Sequence, residues 1–405
     1  MRRMAADGHE VVSFDSKADM YIINTCTVTA VAEKKCRNAI RQAVAQNPGA
    51  QVVVMGCMGE TSRRELESIP GVTAVYGNER KTLLAYSWSD AESGEQPHPS
   101  LLLKEHESGE RRTRVFFKIQ DGCDYFCTYC AIPFARGRSR SATIEETLCA
   151  ARRIADEHGG GALEVVLTGV NTGTFGQGHG ETLLDLLRGL DGLQRVSRYR
   201  ISSIEPNLLT DEIVDFIASS RAFLPHFHIP LQAGSDHVLQ MMHRRYDTAL
   251  YRRKLEYIKS RMPDACIAAD VMAGFNGESE DEFDKVLRYI ESLPISYLHV
   301  FTFSDRPGTA AMRMAEKVPM HVRREHTARL LELSEMKHRA FIESQLGKVR
   351  PVLWESGRHG SPNDNAVCMQ GWTDNYIRVT APYDTTRVAT IDNVKLTPQI
   401  IKFEI

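Results

Sequence analysis

The stretch that decides the fold runs from Lys118 to Ser141, KIQDGCDYFCTYCAIPFARGRSRS. Its first residues end a β-type run, RVFFKIQ, and the chain passes at once into a loop carrying Cys123, Cys127 and Cys130. Working outward to about residue 345, five more strand-like runs follow: EVVLTG, RYRISSIEP, HFHIPLQ, CIAADVMAGF and SYLHVFTFS. Helical patterns such as IEETLCAARRIADEH and SEDEFDKVLRYIESL separate them. Six strand–helix units in a row predict a parallel sheet curled toward a barrel. Six is fewer than the eight of a closed barrel, so one side is expected to stay open. In such folds active sites gather at the C-terminal ends of the strands, where the cysteine loop falls. A long helical stretch, RREHTARLLELSEMKHRAFIESQLG, closes the region at Gly347.

The flanks read differently. Residues 1–88 alternate β-type runs (VVSF, MYIINTC, QVVVMGC) with the Ala-rich helical stretch AVAEKKCRNAIRQAVAQ, which predicts a parallel α/β domain. MRRMAADG resembles the last turns of a helix capped by Gly8, so the chain is expected to start inside that domain, without the strand and loop that belong before it. Residues 89–112 are polar and aperiodic, a linker. From 346 to 405, short strands (VRPVLWES, YIRVTAP, RVATID) separated by Gly, Pro, Asn and Asp predict a small all-β barrel. The fold class is thus α/β with a β appendage.

Composition narrows the function. The 405 residues are 42% hydrophobic and 25% charged, which excludes a disordered or fibrous chain. Net charge is −2, so nucleic-acid binding has to come from local patches. No apolar run approaches a membrane span and the N-terminus has no apolar signal region, which predicts a cytoplasmic protein with no membrane partner. Disulfides are rare there, and nine cysteines call for metal or redox chemistry. Three closely spaced thiolates can hold three irons of a 4Fe–4S cube and leave the fourth open for a substrate. A zinc knuckle completed by a distant His or Cys is the competing reading.

The C-x3-C-x2-C set of Cys123, Cys127 and Cys130 resembles the signature of radical S-adenosylmethionine (SAM) enzymes. INTCTVT, MGC, KIQDGCDYFCTYCAIPFARGRSRS, LTGVNTG, RISSIEP, HFHIPLQAGSD, DVMAGFNGE and HVFTFSDRPGTAA extend the resemblance over most of the chain, to the methylthiotransferases. KIQDGC and PFARGRSRS are similar to the branch modifying N6-threonylcarbamoyladenosine in tRNA. Alternatives are the isopentenyladenosine and ribosomal-protein branches, or a non-catalytic iron–sulfur RNA-binding protein. The resemblance implies an N-terminal methylthiotransferase domain, a partial (β/α)6 radical SAM barrel and a C-terminal TRAM β-barrel. It implies SAM bound at the open iron of the cluster on Cys123, Cys127 and Cys130, and cleaved to a 5′-deoxyadenosyl radical. It also implies a second 4Fe–4S cluster that carries sulfur, and a methylthio group placed at carbon 2 of the adenine at tRNA position 37. Implied partners are tRNA and an electron donor such as flavodoxin or ferredoxin. The protein is expected to be a monomer.

Other motifs fall at strand ends. Thr168, Gly169 and Asn171 in LTGVN suit the methionine end of SAM, or form an ordinary turn. Ser203 and Glu205 share a face by alternation, and Glu205 would accept ribose hydroxyls or pair with an arginine. Gln232 offers an amide to adenine or ribose, and Asp270 and Gly274 end the next strand. Asn276 stands where the family has Pro, which predicts a less rigid loop. Arg306 would face a substrate phosphate or the threonine carboxylate, or solvent. Arg136, Arg138 and Arg140, with nearby cations and the aromatic Tyr125, Phe126, Tyr129 and Phe134, form the expected RNA surface. A second basic cluster surrounds Arg244 and Arg245, and Trp372 and Tyr376 are candidate base-stacking groups. Charges in the β appendage balance.

Cys26 in NTC and Cys57 in MGC match the second and third family ligands of the second cluster. The first has no counterpart in this sequence, through a misplaced start or a true loss; Cys36 is off-pattern but close. Cys149, Cys266 and Cys368 are expected to be packed.

Overall fold

The computed structural model describes residues 8–27, 29–78, 113–355, 359–361 and 364–402. The helix end expected before Gly8 and the linker at 89–112 lie outside the described residues. Among those described, the chain divides into two compact units: residues 8–78, 121–140 and 304–313, and residues 113–120, 141–303 and 314–402.

In the first unit, β1 (Met20–Thr25), β2 (Gln51–Gly56) and β3 (Val72–Tyr76) form a parallel sheet in that order. Helix α1 (Ala30–Gln46) connects β1 to β2, its first turn capped by the Thr29 hydroxyl, which accepts from Ala32 N–H at 3.1 Å. Tyr21, Ile23, Ile40, Ala43, Val52, Val54, Met58 and Leu66 make one apolar core. VVSF is not a strand: its valines are exposed and the segment bends at Phe14–Ser16. Two apolar residues followed by a turn gave it no partner strand to pair with.

In the second unit all six expected strands are present: β4 (Arg114–Lys118), β5 (Glu164–Thr168), β6 (Arg198–Ile201), β7 (His226–His228), β8 (Cys266–Ala273) and β9 (Tyr297–Thr302). β4, β5 and β6 pair in parallel, as do β7, β8 and β9. Parallel bridges Tyr199–Phe223 and Ser203–His228 join the two sets into one arc in chain order. Capped helices lie between them; Ile144–His158, for example, opens with a full capping box of Thr143 and Glu146. Helix α2 (Met320–Gln345) ends before Gly347, whose φ is +79°.

The C-terminal strands Val349–Trp354, His359–Ser361, Asp364–Thr373, Arg378–Pro382 and Ile391–Lys395 form a small antiparallel sheet. The last strand starts at Ile391, four residues beyond the start of the expected RVATID. The sheet buries Val352, Trp354, Met369, Ile377 and Val379 against Cys266, Ala268 and Tyr297 of the arc and Phe341 and Ile342 of α2. Beneath the arc lies a charged layer. Glu164 accepts from Arg200 at 2.9 and 3.2 Å and from Arg114 at 3.1 Å. Arg198 donates to the carbonyls of Trp372 and Pro351. Trp372 and Tyr376 stack on each other at 4.6 Å, with Arg114 over both rings and His226 against Tyr376. The expected base-stacking pair is thus engaged in packing the sheet against the arc. Cys266 is buried, its thiol pushed up to about 12 by desolvation, whereas Cys149 is exposed rather than packed.

Candidate active site

In the first unit the cysteine loop is folded back on itself. Gly122 has φ +72°, and a Cβ there would come within 1.9 Å of the Arg138 carbonyl, so glycine is required. The Cys123 N–H donates to the Gly137 carbonyl at 3.1 Å and the Cys130 N–H to the Cys127 carbonyl at 2.9 Å. Cys127 is buried; Cys123 and Cys130 are half-buried. A short helix, Ile132–Arg136, follows and stops at Gly137. Asp121, buried, accepts from Arg136 at 3.3 Å and Arg140 at 3.0 Å. Arg138 is 81% exposed, with a long 3.4 Å contact to Asp124. Phe126 and Phe134 are exposed and meet edge to face at 6.0 Å. Three thiols within eight residues form an all-sulfur donor set, which fits an iron–sulfur cluster.

Two more thiols sit in the same unit. Because β1 and β2 pair in register Thr25↔Gly56, Cys26 and Cys57 leave adjacent strands side by side. Gly56 is at φ +101°, and a Cβ would come 2.7 Å from the Thr25 carbonyl. The Thr25 hydroxyl ties the turn by donating to the Met55 carbonyl at 2.7 Å and accepting from Met58 N–H at 3.2 Å. Cys57 Sγ lies 3.6 Å from Asn78 Nδ2 and is hydrogen-bonded by Arg136, whose guanidinium is held charged by Asp121 and Cys57 against the opposing effect of burial. Cys36 Sγ accepts from the Cys26 N–H at 3.4 Å, which places the off-pattern cysteine beside the motif one. Sequence reading assigned Arg136 to RNA alone; its contact with Cys57 carries no local sequence signal. Arg306 is not in solvent: it is buried and paired with Glu33 at 2.5 Å.

In the second unit LTGVN is held from behind. Gln120, fully buried, accepts at Oε1 from the N–H of Val170 (2.9 Å) and of Asn171 (2.8 Å). A Cβ on Gly169 would lie 2.9 Å from that oxygen. Asn171 is 2% exposed, and both polar atoms of its side chain lack a hydrogen-bond partner among the described residues. An amide so placed fits a ligand with both donors and acceptors, as the amino and carboxylate groups of SAM are. Thr172 Oγ1 donates to the Ser203 carbonyl at 2.8 Å, and the neighbouring Ser202 hydroxyl is also buried without a partner among the described residues. Glu205 pairs with the nearly buried Arg244, the arginine partner weighed from sequence. Gln232 takes φ +65°, donating its N–H to the Asp270 carbonyl at 2.8 Å. Asp270 Oδ1 is 2.7 Å from His228 Nε2. Asn276 does not loosen its loop: it is fully buried and accepts from Arg323 at 2.9 Å.

Residues 117–290 match the family model described as the Radical SAM superfamily, and residues 1–77 that of the uncharacterized protein family UPF0004. The chain is 37% identical over 404 residues to the threonylcarbamoyladenosine tRNA methylthiotransferase MtaB of Bacillus subtilis (strain 168), covering 96% of this chain and 88% of that one. It is 34% identical to the protein of the same name from Aquifex aeolicus (strain VF5), with 91% of each covered. A solved structure of the radical S-adenosylmethionine methyltransferase TsrM from Kitasatospora setae superposes with a TM-score of 0.55 at 14% identity, covering 74% of this chain and 67% of that one, a likeness of fold. The superfamily implies a 4Fe–4S cluster and SAM. The chain belongs to the radical SAM methylthiotransferases, in the family of the threonylcarbamoyladenosine tRNA enzymes.

Proposed function

We propose that the protein places a methylthio group at carbon 2 of N6-threonylcarbamoyladenosine at tRNA position 37. The observation that carries this is the identity with the threonylcarbamoyladenosine enzymes over nearly the full chain, with the Cys123, Cys127, Cys130 set intact. We read the arc as a partial (β/α)6 barrel over 113–345, residues 1–88 as the methylthiotransferase domain, 89–112 as a linker and 346–405 as a TRAM-like barrel.

Carbon 2 of adenine is not acidic, so acid–base help of about 10²–10⁴-fold is not enough. The cluster and SAM, when bound, supply the radical chemistry, and the protein binds, orients and excludes water. Cys123, Cys127 and Cys130 would hold the SAM-binding cluster. Cys26 and Cys57 would hold a second, with Arg136 and Asn78 donating to Cys57. Asn171 would bind SAM through its unsatisfied amide, with Thr168 and Gly169 shaping the turn. Ser203 and Gln232 would flank it, and Glu205 would act through Arg244. Asp270 belongs to this set through its carbonyl, which fixes Gln232. For RNA, Arg138 is the exposed cation, while Arg136 and Arg140 hold the loop through Asp121. The partners are tRNA and a flavodoxin- or ferredoxin-type electron donor; no helix among the described residues is long and apolar enough to cross a membrane. We take the working unit as a monomer in the cytoplasm.

The test is anaerobic incubation of reconstituted protein with reductant, SAM and tRNA carrying threonylcarbamoyladenosine. The expected products are 5′-deoxyadenosine and a nucleoside heavier by one methylthio group less one hydrogen. SAM cleavage with unmodified tRNA would refute the substrate.

A further inference from the structure

Three side chains on neighbouring strands converge without a role in the reading above. Asp270 on β8 and His299 on β9 are direct register partners, and His228 on β7 reaches the same carboxylate. One ligand atom from each lies within 4.8 Å of the others, and the two imidazoles stand 5.0 Å apart at 58°. Alternation puts Cys266, Ala268 and Asp270 on one face of β8, and Tyr297 and His299 on one face of β9. The lower members, Cys266, Ala268 and Tyr297, are sealed under the C-terminal sheet. The trio is the next step along the strands, where burial is incomplete: His228 and Asp270 side chains are 23% and 19% exposed.

The charge at this point differs from that at three other acidic sites of the chain. Asp121, Glu164 and Glu205 are each held by arginine. Asp270 has no lysine or arginine beside it among the described residues; its hydrogen-bond partner is an imidazole. His299 is half-buried, and an imidazole offers a ring-nitrogen lone pair to a metal ion. Two imidazoles and one carboxylate form a known donor set for divalent transition metals.

We propose that His228, Asp270 and His299 bind one divalent first-row transition-metal ion. The ion would replace the present His228–Asp270 hydrogen bond, and any proton on His228 Nε2 would pass to Nδ1 or to solvent. Three protein donors leave coordination positions for water or a substrate oxygen, and the threonine carboxylate of the modified base is a fitting ligand. That last role rests on the function proposed above; the ion site does not.

The experiment is an Mn²⁺ titration of the full chain with its clusters reconstituted anaerobically, without SAM or tRNA, read by electron paramagnetic resonance. Manganese is chosen because it favours carboxylate over thiolate. The expected result is one Mn²⁺ per chain, with ¹⁴N modulation from two imidazoles in the pulsed spectrum. His228→Gln, Asp270→Asn and His299→Gln should each weaken binding at least tenfold while cluster iron and melting temperature hold. No Mn²⁺ retained by the wild type, bound Mn²⁺ without nitrogen modulation, or unchanged affinity in the variants overturns the proposal. None of these readouts uses turnover, so the metal site and the methylthio transfer fail separately.

Discussion

Asn171 buries an amide that no described residue satisfies. An unmet buried polar group costs about 1–3 kcal/mol, a cost that a ligand can relieve. Asn171→Leu keeps the volume and removes the polar atoms. It should melt no lower than the wild type, yet lose at least tenfold in SAM affinity, measured by equilibrium dialysis on the reconstituted protein. A variant that binds normally would remove Asn171 from the site. His326 makes a second residue-scale case. Burial works against its charge, but hydrogen bonds with Glu278 (3.0 Å) and Glu280 (2.9 Å) outweigh it and raise its pKa above the usual 6.5. A raised folded value means stability that is complete below about 6.5 and lost as pH climbs through the higher folded value. The melting-temperature gap between wild type and His326→Gln should therefore be largest near pH 6 and shrink toward pH 9.

At the scale of elements, the LTGVN turn depends on a residue from another strand end. Gln120 caps two N–H groups at once. Gln120→Ala should cost about 1–3 kcal/mol for each donor left buried without an acceptor, read by urea unfolding. SAM affinity should fall with it. Gly169→Ala, whose Cβ would press on Oε1, should move both in the same direction by less. The strands themselves were legible because apolar runs of four to eight residues bounded by Gly and Pro have few other readings. The Gln120 contact was not, since it joins residues 50 apart and a glutamine in a β-type run carries no label. The same limit hides His228 and His299: each lies in a strand motif, but only the register of β8 and β9 sets Asp270 beside His299. VVSF failed for the opposite reason, a local pattern without a neighbour to complete it. Arg306 was read by its Pro-Gly turn, and burial against Glu33 over a separation of 273 residues overrode that reading.

At the scale of the molecule, each compact unit has its own core, and the cysteines divide between them by chemistry. Cys26, Cys36, Cys57 and the Cys123 loop all fall in the first unit, whereas the second holds the arc, the C-terminal sheet and the charged layer that joins those two. That layer is polar where an apolar seam would serve, so its members should be strongly interdependent. Glu164 is fully buried, and Arg200 and Arg114 hold its carboxyl below the usual 4.5 although burial pulls the other way. Glu164→Gln leaves two arginines facing a neutral amide and should cost about 3–5 kcal/mol, the usual penalty for breaking a buried pair from one side. Of the three tryptophans, Trp354 and Trp372 lie in this unit, so tryptophan fluorescence during urea unfolding, read in a Trp88→Phe background, reports it. A lowered folded pKa places the contribution above about pH 4.5 and removes it as pH falls through the lower folded value. Wild type and variant should accordingly converge toward pH 3. The double variant Glu164→Leu, Arg200→Met replaces the main pair with apolar volume and should regain much of the loss. Equal unfolding midpoints for wild type and Glu164→Gln at pH 7 would show that the C-terminal sheet is held to the arc by its apolar core alone.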